Sequence, residues 1–275
     1  MLNALKGKKG SVEAQVGRVK LGNGLELRNV KTKFAFDDDR LDVPSFTTDM
    51  LGGTASFKVR MEGRGQRAHV ELDGRNLLLE RWFKERGKKI PFEGGPMQIK
   101  AAIDSKGESM KQLAANMSGP VSIRMGRGVY ASERAEEAEA TLSSASNGGP
   151  HGIRFECVGA NLAFKSGRAE RAALVGATSD VSRLLTSGAI DFRDQSLDLR
   201  GRLKPRAGPA LASVVGDLKI FGSMAKPQIS LDHPTAIARF GAAIVTGGLS
   251  AAATALADVA TSKADNPCEE VFAIN

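Results

Sequence analysis

Apolar and polar residues alternate with a period of two along most of the chain, in short segments bounded by Gly, Pro, Asn or Asp. In TASFKVRMEG, Ala55, Phe57, Val59 and Met61 alternate with Ser56, Lys58, Arg60 and Glu62. MQIKAAID sets Met97, Ile99, Ala101 and Ile103 against Gln98, Lys100, Ala102 and Asp104, and PVSIRMG puts Val121, Ile123 and Met125 on one side. AHVELDG, GDLKIFG and PQISLD repeat the habit. GAIDFRDQSLDLRGRLKPR, 188–206, reads as two strands joined at Asp194-Gln195-Ser196. On the first, Ile190 and Phe192 oppose Asp191 and Arg193; on the second, Leu197, Leu199 and Leu203 oppose Asp198, Arg200, Arg202 and Lys204. Such alternation predicts antiparallel strands with one dry and one wet face, because buried parallel strands read as continuous apolar runs. The fold class is mainly β, an antiparallel meander.

Within LELRNVKTKFAF the apolar phase switches from Leu25 and Leu27 to Val30, Phe34 and Phe36, which predicts one extra residue in a bulge near Asn29 and a curled sheet. Asp37 to Asp39 fall between Phe36 and Leu41, where a hairpin should turn. Helices are few. NLLLERWFKERG carries Leu79, Trp82, Phe83 and Arg86 on one stripe and stops at Gly87; Ser132 caps SERAEEAEATLSSAS; Ser109 caps SMKQLAANM. A last helix is expected from near Pro234 to about Thr261, weakened at Gly247-Gly248. The chain thus divides into a β region, 1–233, and a C-terminal helix and tail, 234–275. The uncharged stretch 240–257 would reach about 27 Å as a helix, close to a bilayer's thickness. Its Ala, Gly, Ser and Thr gain little from lipid and favour a packed or interfacial helix.

These helices are too few to shield so many strand faces. Either the sheet folds over so that its apolar faces meet in a sandwich, the ordinary solution, or the faces line an open gutter. The 275 residues are 41% hydrophobic and 5% aromatic, so any core is aliphatic and Phe-based. A net charge of +8 favours anionic partners: phospholipid head groups, lipopolysaccharide or nucleic acid. ERWFKERGKKIPF interleaves Arg81, Lys84, Arg86, Lys88 and Lys89 with Trp82, Phe83 and Phe92, which suits an anionic membrane surface and, less specifically, a nucleic-acid backbone, the more ordinary reading being an amphipathic helix that packs its aromatic side. No recognition helix, zinc finger or RNP motif accompanies it, so nucleic acid is not an expected partner. The opening MLNALKGKKGSVEAQVG lacks the apolar run of a signal peptide, which means either a cytosolic chain or an exporting segment upstream.

Catalytic parts are sparse. His69 lies on the expected wet face, His151 in a turn and His233 before Pro234, and no pair has metal-ligand spacing. The clusters EGRG, EGGP and NGGP read as turns. Cys157 and Cys268 also lack metal spacing and stand as either one bridge or two thiols. No enzyme, metal or cofactor is expected.

The run VKLGNGLELRNVKTKFAFDDDRLDV, then LGGTASFKVRMEG, LDGRNLLLERW and FEGGPMQIKAAIDSKGESMKQLAANMSGPVSIRMGRG, resembles the carboxyl-terminal region of the AsmA family of Gram-negative bacteria. So does FECVGANLAFKSGRAERAALVGATSDVSRLLTSGAIDFRDQSLDLRGRLKPR, followed by LKIFGSMAKPQISLD and the closing DNPC. The resemblance covers almost the whole chain. It implies a protein held in the inner membrane by an amino-terminal helix and reaching into the periplasm. It also implies kinship with repeating β-groove lipid transfer proteins, whose curled sheets expose an apolar trough for acyl chains. The implied task is phospholipid transport toward the outer membrane and biogenesis of that membrane. The anchor and most of the amino-terminal groove have no counterpart here, so the chain resembles a fragment.

On that resemblance the gutter is preferred, with a lining of Phe57, Val59, Met97, Ile99, Ile103, Val121, Ile123, Ile190, Phe192, Leu197, Leu199 and Leu203. Arg81, Trp82, Phe83, Lys84, Arg86, Lys88 and Lys89 would meet a membrane surface. The oxidising compartment implies a Cys157 to Cys268 bridge pinning the tail to the sheet. The expected partners are phospholipid and either the membrane surface or envelope proteins. The alternative is an assembly factor for outer membrane proteins, with the same sheet closed and dry.

Overall fold

The computed structural model describes residues 7–22, 24–63, 66–85, 92–130, 153–170, 174–179, 182–205, 218–231 and 267–273. In chain order, its first half holds β1 (Lys9–Lys20), β2 (Glu26–Asp37), β3 (Arg40–Met50), β4 (Gly53–Glu62), β5 (Arg67–Leu77), α1 (Leu79–Glu85), β6 (Phe92–Gly94), β7 (Met97–Lys106), α2 (Met110–Ala115) and β8 (Gly119–Met125). There follow β9 (Gly128–Tyr130), β10 (Ile153–Lys165), β11 (Arg168–Glu170), β12 (Leu174–Ser179), β13 (Ser182–Asp191), β14 (Ser196–Pro205), β15 (Leu218–Ser223), β16 (Lys226–Leu231) and α3 (Pro267–Ala273). The chain is therefore mainly β and antiparallel with short helices, as the alternation leads one to expect, and the sheet is open rather than closed into a barrel. The described residues within 1–90, 96–123 and 162–168 form one compact unit, and those within 91–95, 124–161 and 169–275 form another.

In the first unit the strands lie in the order β1-β2-β3-β4-β5-β7-β8. Asn29 takes a left-handed φ of 50°, and the β2–β3 register slips there: three steps from Arg28 to Lys31 match two from Asp49 to Thr47. That is the one-residue bulge the phase switch calls for, and the Asn29 amide holds it by donating to Asp49 at 2.6 Å. A second bulge falls between Val43 and Phe46, where Pro44-Ser45 absorb the extra residue and return Phe46 to the face of Val43. The β2–β3 hairpin turns at Asp38, with φ 52°. Ser109 caps α2, its Oγ accepting from the Gln112 N–H at 3.2 Å. The buried apolar residues Leu27, Val30, Leu51, Ala55 and Leu77 gather at one end of the strands, beside the β3–β4 turn.

In the second unit β12, β13, β14, β15 and β16 pair in sequence, and β10 takes the other side of β12. The β13–β14 hairpin differs from the sequence reading. β13 ends at Asp191, and residues 192–195 form the turn, so Phe192 and Arg193 are not strand residues. Asp191 causes the bend. Its side chain is buried, 3% exposed, and accepts from the Arg193 backbone N–H and from the Arg193 guanidinium Nε, each at 2.9 Å. A carboxylate assigned to the wet face is thus the buried pivot of a turn, and its local hydrogen bonds outcompete one more step of alternation.

α3 packs on β12 and β13. A disulfide joins Cys157 on β10 to Cys268 on α3, with the Cα atoms 6.3 Å apart. Gly159 and Gly176 face each other on β10 and β12 and let the helix lie directly on the sheet backbone. A methyl group added at Gly176 would come within 2.5 Å of the Pro267 carbonyl oxygen, and one at Gly159 within 2.9 Å of the Phe272 ring. Val271 is fully buried; the Asn161 amide donates to its carbonyl at 3.2 Å, and the Arg124 guanidinium sits 4.2 Å from the Phe272 ring centre. The expected helices at 132–146 and 234–261, and with them the boundary at 233, lie outside the described residues. No described helix is long and apolar enough to cross a membrane.

The cradle predicts that Gly176→Val expels α3 and leaves the bridge unformed. Alkylation in denaturant without reductant should then modify both cysteines of the variant and neither of the parent protein. Equal protection in the two proteins would show that the helix docks without the glycine.

Candidate functional site

Register gives the first unit two chemically distinct faces. Across β3, β4, β5 and β7 one row runs Val43–Val59–Val70–Ile103 and the next Phe46–Phe57–Leu72–Ala101. Ile99 follows opposite Gly74, and Phe34 and Phe36 extend the same side onto β2 opposite Val12 and Gly10 of β1. The Phe46 and Phe57 rings meet edge to face, centroids 5.7 Å apart.

The exposure of this face separates a sandwich from an open sheet. In a sandwich the inward residues of both sheets interdigitate and lose contact with water. Here Phe46, Phe57, Val59, Val70, Leu72, Ile99 and Ile103 all remain partly exposed. The sheet keeps a greasy side that, among the described residues, is only half covered.

Of the residues expected to line a groove, Phe57, Val59, Ile99 and Ile103 share this face. Met97 pairs with Leu77 beyond a register shift. Val121 and Ile123 belong to the apolar side by alternation, since Pro120 and Ser122 line a hollow on the polar side. The second unit carries its own apolar row. Ile190 faces Leu197, Leu199 lies between Gly188 and Ile220, Ile220 faces Ile229, and Leu203 pairs with Leu184. Leu199 is buried in that unit's core, at 7% exposure, whereas Ile190 and Leu197 are partly exposed. Phe192 stands apart in its turn. Phe46, Val70, Leu72 and Ile220 are further members of these rows. For all but Phe46 the alternation of AHVELDG and GDLKIFG carries the signal; Phe46 is hidden by the bulge that precedes it.

The opposite face is ionic. Lys58 Nζ donates to Glu71 at 2.7 Å, Arg75 makes two hydrogen bonds to Asp73 at 2.8 and 3.0 Å, and Arg60 lies 3.5 Å from Asp42. His69, on the wet face as expected, has its Nδ1 2.8 Å from Asp104 and its Nε2 3.5 Å from Glu71. The hydrogen bond to Asp104, above all, holds the imidazole pKa above its ordinary value, with Glu71 adding to it against some loss of hydration. Lys58, and then His69, hold the Glu71 carboxyl below the usual carboxylate range. An open hollow of about 420 Å³ lies over Ser56, Lys58, Glu71, Asp73, Lys100, Pro120 and Ser122, with Phe57, Leu72, Ala101 and Ala102 of the same strands also in its lining. These groups knit strands together. Among the described residues no group of three or more His, Cys, Asp or Glu side chains is placed to hold a metal ion.

α1 brings four of the expected membrane-surface residues onto one short helix. Arg81 and Lys84 are exposed, and the partly exposed Trp82 and Phe83 rings stand edge to face at 5.2 Å. Arg86, Lys88 and Lys89 lie outside the described residues, as do His151 and His233.

A family model described as the AsmA family matches residues 2–174, more than half of the chain. No curated protein and no solved structure gives a significant match.

The His69 arrangement makes stability depend on pH with a definite sign. Because the folded pKa lies above the unfolded value of about 6.5, the protonated ring favours the folded state. That contribution is complete below about pH 6.5 and is lost as the pH rises through the folded pKa. The urea midpoint should therefore decline across this interval in the parent protein, and more gently in His69→Gln. Parallel pH profiles for the two proteins would remove His69 from the account.

Proposed function

The chain belongs to the AsmA family, and from that premise we propose that it is a non-enzymatic envelope protein that holds phospholipid acyl chains against the apolar face of its open sheet. Family membership suggests a role in the envelope and in outer membrane biogenesis; passage of lipid along the sheet is the finer reading offered here. The supporting observation is the partial exposure of the row from Phe46 and Phe57 to Leu72 and Ala101, with its neighbour from Val43 to Ile103. Water contacts these side chains at a cost that an acyl chain would relieve.

Each methylene taken from water onto such a surface gains on the order of 0.8 kcal/mol, so several contacts retain a lipid without a shaped pocket. Because this attraction is non-directional, a bound tail can slide from row to row without breaking a specific bond. The polar side, laced with cross-strand ion pairs, offers tails nothing comparable. In this reading Arg81, Trp82, Phe83 and Lys84 of α1 meet the membrane, cations toward phosphate and rings at the headgroup level. The site of action is the periplasm, and catalysis is no part of it.

Photo-crosslinking tests the reading directly. A diazirine residue at Ile99 should label phospholipid in cells and in purified protein, while the same residue at Lys100, one position along and on the other face, should not. Native mass spectrometry should find lipid retained by the parent protein and reduced several-fold in Ile99→Asp with an unchanged β-sheet spectrum. Labelling of protein partners from Ile99 without any lipid would replace this reading with that of an assembly factor.

A further inference from the structure

α3 has seven residues, too few for a helix to keep its shape in water unaided, so its structure depends on its seat. That seat is the polar side of the second unit. Cys157, Gly159 and Asn161 of β10 share one side with Gly176 of β12, and register carries that side on to Leu185 of β13 and, one step along, to Ser187 opposite Arg200 of β14. Ile190, Leu197, Leu199 and Ile220 point the other way, because side chains alternate along each strand. α3 therefore gains nothing from the apolar row.

Among the described residues its attachments other than the bridge are small. Val271 is fully buried, Phe272 lies over Gly159 with the Arg124 guanidinium on its ring, and Asn161 donates to the Val271 carbonyl. α3 also follows β16, the last described strand, so every strand pairing of the unit is made without it. The two sulfur-bearing residues differ in access: Cys157 is partly exposed, whereas Cys268 is buried at 5% exposure.

We propose that the Cys157–Cys268 bond is a redox-operated latch on α3, with Cys157 as its reaction site and a dithiol as its co-substrate. One thiolate of the dithiol attacks Sγ of Cys157, the accessible residue; the bond to Cys268 breaks, and Cys268 leaves as a thiolate that takes up a proton. The second thiolate of the dithiol attacks its own sulfur in the mixed disulfide and expels Cys157, which is protonated in turn. Two electrons and two protons pass to the cysteines, and the dithiol departs as a disulfide. With the bond gone α3 leaves its seat while the strands stay paired. Reoxidation brings the helix back onto the strip of Gly159 and Gly176, so seating the helix and closing the bond are one event.

The inference does not rest on lipid binding, and its test is separate. Hydrogen exchange read by mass spectrometry follows the full chain without denaturant, dithiothreitol serving as the dithiol. A peptide covering Pro267–Ala273 should be protected in the oxidised protein and exchange several-fold faster after reduction, while peptides from β13 and β14 exchange as before. Reoxidation should restore the protection. The double variant Cys157→Ser, Cys268→Ser should match the reduced protein without any reductant. A brief exposure to the monothiol glutathione, quenched with acid, should leave the mixed disulfide on Cys157. Unchanged protection of α3 after reduction would show that the helix is held without the bond, and loss of protection in β13 and β14 would make the bridge a staple of the whole unit. Either result, a bond that dithiothreitol leaves intact in the folded protein, or glutathione found on Cys268 would overturn the proposal.

Discussion

A sheet that is open on its apolar side depends on keeping its two faces chemically separate along every strand, and period-two alternation makes that separation fragile: one residue of slippage exchanges the faces. The protein corrects slippage where it occurs. At Asn29 a left-handed residue takes up the extra position, and at Pro44-Ser45 a second bulge returns Phe46 to the row of Val43. Asn is among the few side-chain-bearing residues that enter the left-handed region readily, and its amide also ties β2 to Asp49 on β3. The bulges are therefore part of how the faces are maintained, and they add local twist as they do so.

The ionic face supplies what the half-covered apolar face lacks. Among the described residues, few apolar side chains of the first unit are buried: Leu27, Val30, Leu51, Ala55 and Leu77 at one end of the strands, and Phe164 on β10. Over the rest of the ladder, backbone hydrogen bonds and cross-strand ion pairs keep neighbours in register. Single exposed pairs of this kind contribute little, typically under about 1 kcal/mol. Their value here lies in register: Lys58 with Glu71 and His69 with Asp104 sit directly across from each other, so a slipped ladder would lose them while placing charge among the phenylalanines.

What could be read from the sequence was the information carried locally. Alternation in TASFKVRMEG and MQIKAAID assigned strands and faces, the phase switch located the Asn29 bulge, and Ser109 marked a helix start because a hydroxyl three residues before Gln112 is a local device. The unread parts depend on neighbours distant in sequence. Asp104 lies 35 residues from His69 and becomes its partner only once β5 and β7 pair. The landing strip for α3 needs Gly159 beside Gly176, a pairing invisible until β10 and β12 are adjacent. Phe192 illustrates a conflict of signals: alternation carried it forward as a strand residue, while Asp191 and Arg193 had already turned the chain.

Among the described residues of the first unit, each strand of the ladder is bonded chiefly to the strands beside it, and only a small buried cluster at one end joins strands that are not neighbours. Such an architecture behaves as a nearly one-dimensional stack, in which stability is close to a sum over adjacent pairs. Its length is consequently an adjustable quantity. A hairpin could be gained or lost during evolution as a cassette, lengthening or shortening the sheet without redesign of a common core, provided only that the incoming pair preserves the parity of its neighbours.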